Sequence, residues 1–191
     1  MLVFNGSYYK SEFKKLNIYE NFTSKEEVDI QATKLIKYLC CDSNLEGDFY
    51  SEREKLHLAD VKNLIRLTTI QFLLTLSITL ATLLVLIINK KTRLLLFSLR
   101  WASLVCILAI FTLWLSAFIK IENFQKSFIT FHEVAFENDL WQMSPQSNLI
   151  KLFPEQFFAD FANRIALQTI IMSIVIFSGS YLIKRNVTKS N

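Results

Sequence analysis

Three stretches of the chain carry no charged side chain: Leu67 to Ile88 (22 residues), Trp101 to Ile119 (19) and Ile165 to Ile183 (19). Crossing the hydrocarbon core of a bilayer takes about 20 apolar residues at about 1.5 Å rise each, so all three are long enough to span it. Three helices cannot enclose a large soluble core, and the lipid-facing surface must carry much of the hydrophobicity. The pattern excludes a soluble globular domain, a disordered chain and a secreted disulfide scaffold. It predicts an all-α, polytopic membrane helical bundle, one membrane domain over 1–191 with three transmembrane helices and extracytoplasmic interfacial helices.

The net charge of +4 could suggest a nucleic-acid partner, but the excess has a local source. Residues 89–93 and 184–191 together hold six basic residues and no acid (Lys90, Lys91, Arg93, Lys184, Arg185 and Lys189). The 120–164 connection holds six acids against four bases. This is the positive-inside asymmetry, so no nucleic-acid partner is expected. It predicts an extracytoplasmic segment 1–63 leading into helix 64–88, a cytoplasmic turn 89–93, and a transmembrane segment 94–119. An extracytoplasmic interfacial segment 120–164, a last span 165–183 and a cytoplasmic tail 184–191 follow. The expected location is the plasma membrane, multi-pass. The orientation requires residues 1–63 to cross the membrane with nothing apolar enough ahead of them to act as a signal peptide or anchor. The reading is that a first spanning helix is missing from the chain.

Segment 1–23 is polar and aromatic (Phe4, Tyr8, Tyr9, Phe13, Tyr19, Phe22), a composition suited to a membrane–water interface. Ser24 and Glu27 form a capping-box pattern, and Val28, Ala32, Leu35, Ile36 and Leu39 follow at helical spacing, predicting a helix from about Lys25 to Leu39. Residues 40–48, with Asp42, Ser43, Asn44 and Gly47, read as a loop. Ser51 and Glu54 repeat the capping pattern, and no Gly or Pro interrupts the chain from 48 to 144, so a second helix can run unbroken into the first span. Arg100 reads as a snorkelling cation. Segment 124–164 mixes eight Phe with one Trp and several acids, suggesting short interfacial helices divided by Pro145 and Pro154. Cys40 and Cys41 are adjacent, and neighbouring cysteines rarely pair because the ring is strained. Cys106 lies within a span and reads as packing, and no spacing suggests a metal site.

The chain has two histidines, His57 and His132, each just outside a span and on the same predicted side. Two distant imidazoles at one depth can form an acid–base pair. The plainer reading is two separate surface histidines. Helical spacing puts Glu54, His57 and Asp60 on one stripe, where a carboxylate could fix the imidazole tautomer and raise its basicity. Around His132 stand Glu133, Glu137, Asn138 and Asp139, with Phe131, Phe136, Leu140 and Trp141 as an apolar setting; for most of these acids a solvated helix face is the simpler reading. A polar cluster in an aromatic wall suits an acyl ester at headgroup level. No H-E-x-x-H occurs, and His132 and Glu133 stand about 100° apart on a helix, so no metal is expected. No G-x-S-x-G singles out a serine nucleophile among Ser51, Ser127 and Ser144.

Y-S-E-R-E-K-L-H-L-A-D-V-K (Tyr50 to Lys62), F-H-E-V-A-F-E-N-D-L-W-Q-M-S-P (Phe131 to Pro145) and L-I-K-L-F-P-E-Q-F-F (Leu149 to Phe158) resemble the integral membrane family that contains the lipoprotein intramolecular transacylase. The order of outer segment, first histidine motif, two spans, second histidine motif and last span matches as well. The resemblance implies four transmembrane helices, the first of them preceding the outer segment. This chain begins about where that helix would end, so a miscalled start or a truncated gene product is expected, which puts its insertion and activity in question. The resemblance also implies a substrate, a diacylated bacterial lipoprotein, and a reaction. The sn-2 acyl chain moves from the glycerol oxygen to the α-amine of the N-terminal cysteine, leaving a lyso-form lipoprotein. By position His57 and His132 correspond to the family's catalytic histidines. Glu54, Asp60, Asn138, Asp139 and Trp141 are expected to support them or bind substrate, with His57 as the base. No cofactor is expected; membrane lipids are the other expected partner, and the oligomeric state is left open. The competing readings are a non-enzymatic lipid- or lipoprotein-binding membrane protein, and a lipid acyl hydrolase or transferase with another acceptor.

Overall fold

A computed structural model describes residues 6–41, 43–118 and 121–189. Phe4, Asp42, Ile119 and Lys120, which enter the sequence readings above, lie outside these residues. Every element is helical among the described residues: α1 (Gly6–Lys15), a 3-10 turn (Ile18–Asn21), α2 (Lys25–Cys40), α3 (Glu52–Ile88), α4 (Thr92–Phe118), α5 (Ile121–Ala135), α6 (Asn148–Leu152) and α7 (Glu155–Lys189). They divide into two units, residues 1–69 with 125–160, and residues 70–124 with 161–191.

The second unit holds most of the apolar length. Among the described residues, three helices are long and apolar enough to cross a membrane: Glu52–Ile88, Thr92–Leu113 and Glu155–Ile183. Within α3 the charge-free stretch is Leu67–Ile88. Residues 52–62 carry six charges and cannot lie in hydrocarbon. Leu67, Phe72, Leu73, Leu113, Leu167 and Val175 are all more than half exposed, the outward display that lipid covers. The turn after α3 is closed without glycine. Lys90 takes a left-handed φ of 53°, while the Lys91 amide donates to the Leu86 carbonyl at 2.9 Å and the Lys90 amide to that of Ile87 at 3.0 Å. That pattern satisfies carbonyls the helix end would otherwise leave open.

The first unit has its own core. Phe13 is fully buried among the rings of Tyr9, Tyr19, Phe153 and Phe157, with centroids 5.7–6.2 Å away. Ile18, Val28 and Leu152 are buried beside them in the same unit. Tyr8, Tyr9 and Phe13, three of the aromatics of the first 23 residues, therefore serve a protein core. On α1, Tyr8, Tyr9, Glu12 and Phe13 share one buried face, and a helix that can cover Phe153 and Phe157 gains more by burying rings than by wetting them. Lys15 ties α1 to the start of α7 through Asp160 at 2.7 Å.

Ser24 caps α2: its hydroxyl accepts from the Glu27 amide at 3.2 Å while donating to the Glu26 carboxylate, and the helix runs to Cys40. The helix of the last span starts at Glu155, ten residues earlier than its apolar stretch, because Pro154 presets the entry and nothing after it breaks the helix.

Candidate active site

The site is built within the first unit, from the charged start of α3, the last turn of α5 and the loop that follows. α3 begins at a reciprocal capping box. The Ser51 amide donates to Glu54 Oε2 at 2.6 Å, and the Glu54 amide donates to the Ser51 hydroxyl at 3.4 Å. One turn further on, His57 is 7% exposed, and on α5 His132 is 9% exposed. Their ring centroids are 6.1 Å apart and their planes are tilted by 31°. Phe136 packs on both rings, at 5.1 Å from His57 and 5.6 Å from His132. Trp141 lies over His132 at 5.1 Å and 34°, and Phe128 and Phe131 meet the same ring at 4.3 and 5.4 Å.

The two imidazoles have different partners. His132 Nδ1 lies 2.7 Å from the Phe128 carbonyl oxygen. A carbonyl can only accept, so this contact assigns the proton to Nδ1 and leaves the lone pair on Nε2. His57 Nδ1 is buried and has no hydrogen-bond partner among the described residues. Burial, with His132 nearby as a second contributor, pushes His57 down to about 4 against the weaker opposing pull of Asp60, so His57 is neutral at neutral pH.

Glu54 does not serve His57. Its carboxylate is 3% exposed and takes the Ser51 amide on Oε2, with the Ser147 hydroxyl and the Leu149 amide both at 2.7 Å on Oε1. Helical side chains lean toward the N-terminus, so Glu54 reaches back to Ser51 and away from the next turn. Burial alone would push this carboxyl up, but the bonds from Leu149, Ser147 and Ser51 outweigh it and hold it below the usual range. Asp60 faces the loop, accepting from Asn138 Nδ2 at 3.0 Å, while Asn138 Oδ1 accepts from the Leu140 amide. The Asp139 carbonyl accepts from Arg53, and its carboxylate accepts from Gln142. Of the residues singled out in the sequence, the structure thus gathers His57, His132 and Trp141 in one cluster. Asp60, Asn138 and Asp139 lie in the contacts that tie the loop to α3.

Sequence reasoning overlooked Phe128, Arg53 and Ser147. Phe128 was findable, since it stands four residues before His132 on the same helical face. Arg53 and Ser147 act on partners about 90 residues away, and no local pattern marks them.

Residues 1–158 match the family described as lipoprotein intramolecular transacylase Lit. No curated protein sequence matches the chain significantly. Among solved structures, the chain is similar to an in meso structure of the membrane integral lipoprotein intramolecular transacylase Lit from Bacillus cereus. The identity is 30% and the TM-score 0.80, over 98% of this chain and 87% of that one. Two further structures of the same Bacillus cereus protein carry a histidine replaced by arginine (27% identity, TM-score 0.76, 100% and 84% covered) or by alanine (28%, 0.74, 98% and 85%). The family match over most of the chain and the agreement with these folds carry one conclusion: this chain belongs to the lipoprotein intramolecular transacylase family.

Proposed function

We propose that the chain transfers the sn-2 acyl group of a diacylglyceryl lipoprotein to the α-amine of its N-terminal cysteine, with His57 and His132 as the reacting pair. The observation that carries this reading is the 6.1 Å separation of the two imidazoles inside one aromatic enclosure. Nucleophile and ester belong to one substrate molecule, so the protein has only to hold them together and move a proton, and no covalent enzyme intermediate is required. The amine nitrogen attacks the ester carbonyl carbon, a C–N bond forms and the C–O bond to glycerol breaks. The proton leaves the amine and arrives on the glycerol oxygen.

The surroundings of the two rings favour His132 as the carrier of that proton, in place of the His57 base read from the sequence. Its Nδ1–H is engaged by the Phe128 carbonyl, which selects that tautomer and orients Nε2 as the acceptor. A free α-amine has a pKa of about 8 and is largely protonated at pH 7, so it must lose a proton before or as it attacks. His57, held neutral by burial, is a weak acceptor, but its N–H can donate to the oxygen that becomes negative in the tetrahedral intermediate. The charge asymmetry of the loops supports an active site facing the extracytoplasmic side.

The test is tandem mass spectrometry of the N-terminal lipopeptide of a diacylated lipoprotein, co-expressed with this chain in a host without N-acylating enzymes. Total mass is unchanged by intramolecular transfer, so fragmentation must locate the acyl group on nitrogen. We expect His132→Gln to lower the rate by about 10²–10⁴-fold and His57→Gln, which keeps a donor, by less. An unmodified amine from a well-inserted protein would move the assignment to a lipid-binding protein or to another acyl acceptor.

A further inference from the structure

We infer that Glu54 is a positioning residue of the site, whose buried carboxylate fastens Ser147 and Leu149 to the helical turn before His57 and so holds the intervening loop, with Trp141, against His132. The inference rests on the transacylase reading above for its catalytic consequence, but its geometry is independent of that reading.

Glu54 is one of the least exposed charged groups in the first unit, and no cation pairs with it among the described residues. A carboxylate removed from water without a cation is costly unless donors replace its hydration. Here the donors come from two places in the chain: Ser51 at the start of α3, and Ser147 with Leu149 at the start of α6. Ser147 caps α6 by accepting from the Ile150 amide while it donates to Glu54, so it is held from both sides. Beside this contact, the Asn148 side chain donates to the Phe49 carbonyl at 2.6 Å. At its other end the loop meets α3 through Arg53 on the Asp139 carbonyl and Asp60 on Asn138, contacts that are exposed. The loop from Phe136 to Ser147 is therefore anchored at one end by a buried charge and at the other by exposed polar contacts. Between them, Trp141 rests on His132. Without the Glu54 anchor, Ser147 and the Leu149 amide lose their acceptor, and the Asn148 side chain on the Phe49 carbonyl still ties this end to the segment before α3. A displacement of about 1 Å near reacting groups can cost about 10²-fold in rate.

The test uses the full chain in micelles with a diacylated lipopeptide, comparing Glu54→Gln, Glu54→Asp and Ser147→Ala with the unsubstituted protein. Gln keeps the volume but loses the charge and places an amide donor among donors. A well-folded Glu54→Gln is expected to lose 10- to 100-fold in kcat with KM within about twofold, and Ser147→Ala, which removes one bond, to lose less. A second readout does not need activity. In a Trp101→Phe, Trp114→Phe background, Trp141 is the remaining tryptophan, and contact with the His132 ring quenches its emission. This contact quenching is expected to weaken in Glu54→Gln.

Wild-type kcat and intact quenching in a folded Glu54→Gln would overturn the inference. So would an activity that falls only in proportion to the folded fraction. If Glu54→Gln does not fold, Glu54→Asp and Ser147→Ala decide: reduced kcat with weakened quenching upholds the inference, and unchanged values overturn it. If the unsubstituted chain has no transacylase activity, the functional reading fails, and the quenching comparison alone still upholds or overturns the role of Glu54.

Discussion

The sharpest consequence of the buried pair is a pH dependence of folding that belongs to one side chain. Folded His57 resists protonation down to about 4, against an ordinary 6.5. Its proton therefore costs about 3 kcal/mol more in the folded state than in the unfolded chain, taking about 1.4 kcal/mol for each tenfold change in proton affinity. The sign follows from the depressed value. Above pH 6.5 the ring is neutral in both states and the native state loses nothing. As pH falls from 6.5 toward 4, the unfolded chain takes up a proton that the native state refuses, so stability falls, and below about 4 the loss levels off. At pH 5 the loss is about 2 kcal/mol. The perturbation is His57→Gln, which keeps an amide of similar size and removes the titration. Reversible denaturant unfolding in mixed micelles at pH 7.5 and pH 5 would measure it. Wild type should lose about 2 kcal/mol more than His57→Gln over that interval. The Glu54 carboxyl does not interfere, because its contribution is lost only as pH falls below about 4.5. Equal losses in the two proteins would mean that folded His57 titrates like a solvated imidazole, and the argument from burial and from His132 would be wrong.

Three further outcomes follow from the fold. Phe13→Ala, which empties a fully buried position among four rings, should destabilise the first unit by about 3–5 kcal/mol, read as increased protease susceptibility in micelles. Lys90→Gly should raise stability by about 1 kcal/mol, or about 2–4 °C in Tm, because Lys90 occupies a left-handed conformation that glycine adopts without strain; no change in Tm would contradict that reading of the turn. Ser24→Ala should cost about 1 kcal/mol and fray the first turn of α2, visible as faster amide exchange at Glu27.

Much of the fold can be read in the sequence because a bilayer imposes a simple rule. A charge-free run of about 20 residues is long enough to span. The start of α2 at Ser24 and the unbroken course of α3 are local signals too, a cap in one case and the absence of Gly and Pro in the other. The fate of Tyr8, Tyr9 and Phe13 was not legible. Aromatic and polar residues in alternation fit a wet interface and a half-buried helix equally well, and what decides is Phe153 and Phe157, far along the chain. Glu54 failed for a related reason. The i, i+3 spacing does place it one turn from His57, but spacing does not show where a carboxylate will find its donors, and here they are the Ser147 hydroxyl and the Leu149 amide. His57, His132 and Trp141 stood out because the chain holds few histidines and tryptophans and the topology brings their segments to one side.

The fold treats the two imidazoles oppositely, and that difference bears on how a pair can work without a nucleophile of its own. Two identical, solvated histidines would both titrate near 6.5, and each would be part acid and part base at neutral pH. Here His57 is buried with no partner for Nδ1 among the described residues, and burial disfavours its charged form, whereas His132 is given a carbonyl that selects one tautomer. In the reaction proposed above, that asymmetry would assign proton transfer to His132 and leave His57 a neutral donor. It also removes the like-charge repulsion that two imidazolium rings at 6.1 Å would suffer. An intramolecular acyl shift returns its proton to the alcohol it releases. One ring that changes charge and one that does not is therefore sufficient equipment for it.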